Sequence, residues 1–196
     1  KNKKKIILIG NVKLLKAQMK ILILKTLLNE IYNVNKSKNK KINIINIDYN
    51  FKDAFSKIKI NSNKYIKKCF DLSLKIIKEN KNFVLINGPI SKKTFLNKKF
   101  LGITEYILYK TKSNDAVMLI YNKILSVSPL TTHLPIKHVA RNITKKQILK
   151  KVILLNKFYL KKLKIKPKIA VLGLNPHCET TDKYSEENKI IIPAIN

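Results

Sequence analysis

Arginine is nearly missing from this chain of 196 residues: Arg141 stands alone beside 41 lysines. Its planar guanidinium is the group that reads guanine edges and clamps phosphates, so its scarcity argues against sequence-specific nucleic-acid recognition. Acids are few as well, 11 in all, and the formal charge is +31. Two cysteines, Cys69 and Cys178, exclude a disulfide framework and read as reduced thiols of a cytoplasmic protein. No apolar run approaches the roughly 18–20 residues that cross a bilayer, which excludes a membrane-spanning helix and predicts no membrane partner. No apolar h-region precedes a small-residue cleavage site, so no secretory signal is visible.

What is present is a core. Apolar residues make up 45% of the chain, and abundant Ile, Leu and Val exclude a disordered polyelectrolyte. The charge itself is weak information. Lysine (41), isoleucine (31) and asparagine (22) together fill nearly half the sequence, and all three share A- and T-rich codons. The lysines are dispersed, and Lys145, Lys146, Lys150 and Lys151 fall on one amphipathic helix, as a solvated face does. Any nucleic-acid binding would be salt-sensitive and non-specific.

Short β-branched runs alternate with longer helical ones, which predicts an α/β layered domain over residues 1–196 with no internal boundary. Strands are expected at Ile6–Ile9, Ile42–Ile47, Phe83–Ile86, Ala116–Tyr121, Ile124–Leu130 and Lys168–Leu174. Helices are expected over Val12–Ile31, Tyr65–Lys78, from Thr104 to Tyr109, and from Thr144 to about Leu163, with Thr144 and Gln147 as a capping box. Asp48–Asn63 reads as irregular. The chain begins at Lys1 and stops at Asn196 in mid-pattern, so it is expected to be a piece of a longer protein.

The four glycines, Gly10, Gly88, Gly102 and Gly173, fall at strand ends or turns, where positive φ or close backbone approach is wanted. In open α/β sheets ligands bind beyond the carboxyl ends of the strands. Polar residues gather at such ends in three places: Asn87-Gly88-Pro89-Ile90-Ser91-Lys92, Thr131-Thr132-His133-Leu134-Pro135 and Gly173-Leu174-Asn175-Pro176-His177. An imidazole so placed is either a hydrogen-bonded structural residue or a neutral ligand for a divalent metal. His133 and His177 lie 44 residues apart, so their spacing alone does not decide between the two. His138 reads as a surface residue, and Cys178 as a bystander beside His177.

Those three segments, with Gly102-Ile103-Thr104-Glu105 between the first two and with Glu179, Glu186, Glu187 and Pro193 after the last, occur in an order and at intervals that resemble the 4-hydroxythreonine-4-phosphate dehydrogenases of pyridoxal phosphate synthesis. The likeness is plain from Phe83 to Ile195 and only topological before Lys81. It implies a three-layer α/β/α fold of the isocitrate/isopropylmalate dehydrogenase type and a homodimer with its sites at the subunit interface. It implies oxidation of a small phosphorylated substrate, 4-phosphooxy-L-threonine, by NAD or NADP, with decarboxylation to 3-amino-2-oxopropyl phosphate. By the same resemblance His133 and His177 match two of three histidines that hold a divalent cation (zinc, magnesium or cobalt). Thr104 matches a substrate-binding threonine, and Lys92 matches the lysine of a Gly-Pro-x-x-Lys motif that could meet the substrate's phosphate or carboxylate.

The chain also departs from that pattern. Ile103 stands where the family's Gly-His-Thr-Glu motif has its substrate-binding histidine. His177-Cys178-Glu179 replaces a His-Ala-Gly-Glu run, and a Gly-Asp-Pro-x-Gly-type amino-terminal segment is missing. The third histidine and the cofactor site are expected outside these residues. Two alternatives therefore stand beside the first reading. One is a decarboxylating dehydrogenase of a four-carbon sugar-acid phosphate, such as threonate or erythronate 4-phosphate. The other is a basic binding protein without catalysis.

Overall fold

A computed structural model describes residues 5–97, 99–113, 115–178 and 185–196. The chain divides into two compact units, Lys1–Tyr106 and Ile107–Asn196.

The first unit is built on three parallel strands, β1 (Ile7–Gly10), β2 (Leu28–Glu30) and β3 (Ile42–Asn46), in the order β1-β3-β2. Ile7 pairs with Asn43 and Gly10 with Asn46 on one side of β3, and Leu28 with Ile42 on the other. Asn43, Ile44 and Ile45 are buried in succession, as befits the central strand of a sheet covered on both faces. Asn43, with no exposed surface, has every polar valence filled. Its amide nitrogen donates to the carbonyls of Ile6 and Lys38, and its oxygen accepts from the Lys38 amide at 2.7 Å and from Asn29 Nδ2 at 2.8 Å. One polar side chain thus ties all three strands to the loop before β3.

Helix α1 (Val12–Ile21) follows β1 directly. Asn11 caps it, accepting from the Leu14 amide at 2.8 Å, while Asn46 Oδ1 accepts from the Val12 amide at 3.0 Å. The Asn11 amide donates to Tyr65 Oη at 2.9 Å, and burial pushes the Tyr65 phenol up to about 12, with Cys69 beside it adding to the shift. Gly10 suits the close approach there, since a Cβ on it would lie 3.1 Å from that hydroxyl. Helix α2 (Ser62–Glu79) carries Tyr65 and buries Phe70. Phe70 packs on Phe95 and Tyr106 with ring centroids 5.8 and 5.3 Å apart. These contacts place the π turn Lys92–Leu96 and the start of α3 (Ile103–Thr111).

The helix expected over Val12–Ile31 ends at Ile21 instead. Leu24 N donates to Met19 O, and Ile23 takes the left-handed conformation at φ 54°, a Schellman-type stop with isoleucine where glycine is usual. No Gly or Pro marks the end, so the apolar period runs on through residues that belong to β2.

In the second unit Ile120 and Val127 exchange both backbone hydrogen bonds across a tight loop, an antiparallel bridge and nothing longer. The expected strands Ala116–Tyr121 and Ile124–Leu130 reduce to this hairpin. Phe83–Ile86 in the first unit and Lys168–Leu174 in the second carry no ladder at all. Their patterns are still those of strands: Phe83 and Leu85 are half-buried while Val84 and Ile86 are 83% and 88% exposed. A strand needs a neighbouring strand to pair its backbone groups, and among the described residues these segments pair with none.

Helix α4 (Lys145–Phe158) begins as expected, with Thr144 Oγ1 accepting from the Gln147 amide at 3.2 Å, and continues as a π turn over Tyr159–Leu163. A second π turn, Glu187–Ile191, leads into α5 (Ile192–Ile195). Ile143 and Ile148 pack with Ile191 and Ala194, and Leu130, Val139, Val152, Val171 and Ile190 complete that core. No helix of the described residues is long and apolar enough to cross a membrane.

Replacing Asn43 with Ala should destabilise the protein by roughly 2–4 kcal/mol, because several buried backbone and amide groups lose their partners together. Urea unfolding measures it, and a loss below about 1 kcal/mol would show that water takes over the vacated positions.

Candidate functional site

The second unit carries both histidines singled out above, on two loops that meet its core. His133 follows Leu130, a core residue, and sits exposed with φ 59°. The left-handed conformation is uncommon for a residue with a side chain, though histidine adopts it more readily than most. The stem of this loop is held from α4. Lys151 Nζ donates to the Pro129 carbonyl at 3.0 Å and to the Leu130 carbonyl at 2.7 Å. Burial lowers the pKa of that ammonium group.

His177 is exposed at the end of the other loop. Its amide donates to Asn175 Oδ1 at 3.0 Å, and the Cys178 amide donates to the Asn175 carbonyl at 3.0 Å with Cys178 at φ 55°. The stem is again held by a charge. Oε1 of Glu187, a buried residue, accepts from the Leu174 amide at 2.8 Å and the Asn175 amide at 2.9 Å. The Asn175 amide, then Glu187's own and that of Leu174, hold the carboxyl below the usual glutamate range, against the opposing effect of burial. Gly173 sits in a crowded place: a Cβ there would collide with Cys178 Sγ and lie 3.3 Å from Glu187 Oε1. No glycine has positive φ. The sharp turns of both loops use His133 and Cys178 instead.

Lys151 and Glu187 were legible only in part. Lys151 lies on the solvated face expected of its helix if lysines are merely counted, yet Ile148, Lys151, Val152 and Leu155 share one helical face, and Ile148 and Leu155 are buried. Glu187, Ile191 and Ala194 are spaced likewise, and all three are buried. A charge at a core position of a helical period is the signal that marks both.

The remaining candidates belong to the first unit. Lys92 is exposed at the start of its π turn, Ile103 is half-buried, and Thr104 is exposed in the first turn of α3. Glu105 beside them has one carboxylate oxygen buried with no hydrogen-bond partner. His138 is exposed, as expected of it, and Glu179 lies outside the described residues. Among the described residues no three His, Cys, Asp or Glu side chains gather as a metal site. Two exposed imidazoles fit a divalent cation in donor chemistry but would supply only part of its coordination. A groove along the outer face of α4, lined by Leu149, Ile153 and Leu154 with Lys145, Lys150 and Asp115, includes neither histidine.

A model of the family described as pyridoxal phosphate biosynthetic protein PdxA matches residues 2–196. The chain belongs to that family. Among curated PdxA relatives it is 39% identical over 127 residues to the 4-hydroxythreonine-4-phosphate dehydrogenase of a Sulfurihydrogenibium species, covering 63% of this chain and 39% of that protein. It is 41% identical over 116 residues to the enzyme of the same name from Aquifex aeolicus, covering 57% and 36%. The matched part is thus about two fifths of these relatives' length. The crystal structure of the Klebsiella pneumoniae dehydrogenase superposes with TM-score 0.83 at 20% identity, over 96% of this chain and 61% of that one. The Burkholderia phymatum structure does so with TM-score 0.79 at 22% identity, over 95% and 59%. These likenesses establish the α/β fold of the PdxA proteins for this chain.

Gly173→Ala should destabilise the loop by about 1–3 kcal/mol through steric overlap. Cys178→Ala in the same chain should recover most of that loss, since the nearest colliding atom is gone, and a double-mutant cycle in chemical unfolding reads the coupling. The Glu187 carboxyl has a depressed folded-state pKa, so its contribution is complete above the ordinary glutamate range and is lost as pH falls through the folded value. The melting temperature of the parent should therefore exceed that of Glu187→Gln by a constant margin at neutral pH, and the margin should close in acid. A margin unchanged down to the acid limit would contradict the pinned carboxylate.

Proposed function

We propose that the chain forms part of a metal-dependent, NAD- or NADP-linked dehydrogenase that oxidises 4-phosphooxy-L-threonine, with decarboxylation to 3-amino-2-oxopropyl phosphate, in pyridoxal phosphate synthesis. The observation that carries this reading is the family match across 2–196, combined with two imidazoles on anchored loops of one unit. His133 and His177 would hold the divalent cation, whose positive charge would favour the oxyanions of alcohol oxidation and of decarboxylation. Imidazole pairs suit zinc or cobalt better than magnesium. Remaining ligands and the nicotinamide site would come from the rest of the protein or from a partner subunit, in a cytoplasmic homodimer.

The residues of the first unit would serve the substrate. Lys92, a cation free to reach outward, would meet its phosphate or carboxylate, and Thr104 would donate or accept at a polar group through its exposed hydroxyl. Ile103 places an apolar side chain where the resemblance implies a histidine, which favours a second reading: the sibling activity on threonate or erythronate 4-phosphate.

Equilibrium dialysis of the full-length protein with cobalt, paired with NAD(P) reduction on each phosphate, tests both parts. His133→Ala and His177→Ala should each weaken metal uptake by at least about 100-fold, the upper end of what removing even an indirect partner costs. Turnover of the sugar-acid phosphate alone would select the sibling, and metal uptake indifferent to both histidines would overturn the metal assignment.

A further inference from the structure

We propose that Lys151 and Glu187 are positioning residues for His133 and His177, pinning the His133 loop to α4 and the His177 loop to the π turn Glu187–Ile191 that packs against α4. The inference rests on the metal reading above and adds to it what sets the geometry of the two ligands.

The two anchors have the same construction with opposite charge. Lys151 gives its ammonium to two successive carbonyls, Pro129 and Leu130, three residues before His133. Glu187 gives one carboxylate oxygen to two successive amides, Leu174 and Asn175, two residues before His177. Both anchors rise from elements that share one core, Ile148 of α4 against Ile191 and Ala194 of the π turn and α5. The loops contribute to the same core through Leu130 and Val171. Each histidine is therefore two or three residues from a fixed point, and the two fixed points belong to one packed layer.

Packing alone does not call for these charges. A buried charge is costly unless hydrogen-bonded, and an apolar residue of similar volume would seal the helix interface at least as well. What a charge adds is direction, because charge-assisted hydrogen bonds hold backbone groups in a set geometry. Both charges are directed at backbone next to a candidate ligand. Among the described residues no ion pair joins Lys151 to Glu187, so each acts on its own loop.

The test uses cobalt as probe in the full-length protein, because its visible absorption reports coordination geometry as well as occupancy. Lys151→Met and Glu187→Ala should each weaken cobalt binding by about 10–100-fold, the range for partners behind a ligand. Each should also change the shape of the absorption band of the bound ion, which a mere loss of folded protein would leave intact. Glu187→Gln retains an acceptor while losing charge and should fall between parent and Glu187→Ala. It carries the test should Glu187→Ala fail to fold, as Lys151→Arg does for Lys151→Met. Parent affinity and parent spectrum in the anchor variants, alongside lost binding in His133→Ala and His177→Ala, would overturn the positioning role and leave the metal reading intact. Binding that survives both histidine substitutions would overturn the two together.

Discussion

The second unit depends on a carboxylate taken out of solvent. Glu187 has one oxygen against two consecutive backbone amides, and everything around it follows from that contact. Gly173 gives the room in which Cys178 and the Glu187 carboxylate come close, and the chain reverses at Cys178 with φ 55°. His177 is carried on the short span between them. An anion buried without such donors would be pushed toward protonation, whereas here the donors outweigh burial and keep it charged. The loop and the carboxylate therefore stabilise each other, and neither arrangement is economical without the other.

The first unit solves a similar problem with a neutral group. Asn43, at the centre of the sheet, satisfies backbone from β1's approach and from the loop before β3, and meets Asn29 on β2. An apolar residue there would leave the Lys38 amide and carbonyl without the partner that joins their loop to the sheet. In both units a polar side chain at an otherwise apolar position organises a connection rather than a face of the core. That is the arrangement in which buried polarity is tolerated, because every donor and acceptor is used.

Much of this was readable in the sequence. The strand-to-helix order of residues 7–21, the capped start at Thr144 and the extent of α2 follow from period and cap chemistry, whereas the strands expected before His133 and His177 are not formed among the described residues. What failed did so for identifiable reasons. Local pattern cannot see a helix stop built on Ile23, since isoleucine at positive φ is imposed by the surrounding structure. Nor can it tell a β-branched run with a hydrogen-bonding neighbour from one without, so Phe83–Ile86 and Lys168–Leu174 read as strands although no ladder forms. Of the two uses expected of glycine, close approach occurs, as at Gly173, while the left-handed turns fall to non-glycine residues, His133 and Cys178 among them. The two histidines stand out because histidine is rare here; Lys151 is masked by the abundance of lysine, and Glu187 reads from sequence only as one of a local acidic group.

That contrast bears on how so basic a chain should be read. A compositional drift toward lysine fills solvent-facing positions at little cost, since an exposed ammonium remains hydrated wherever it stands. It cannot account for a lysine on the Ile148–Leu155 face of α4, where hydration is reduced and the pKa is lowered accordingly. At that half-buried position the Pro129 and Leu130 carbonyls accept the ammonium's hydrogen bonds in place of part of its water. The net charge of +31 is thus uninformative about function, while the placement of one lysine out of 41 is informative. What distinguishes Lys151 is not its charge but its half-buried place, where backbone carbonyls next to the His133 loop stand in for part of its water.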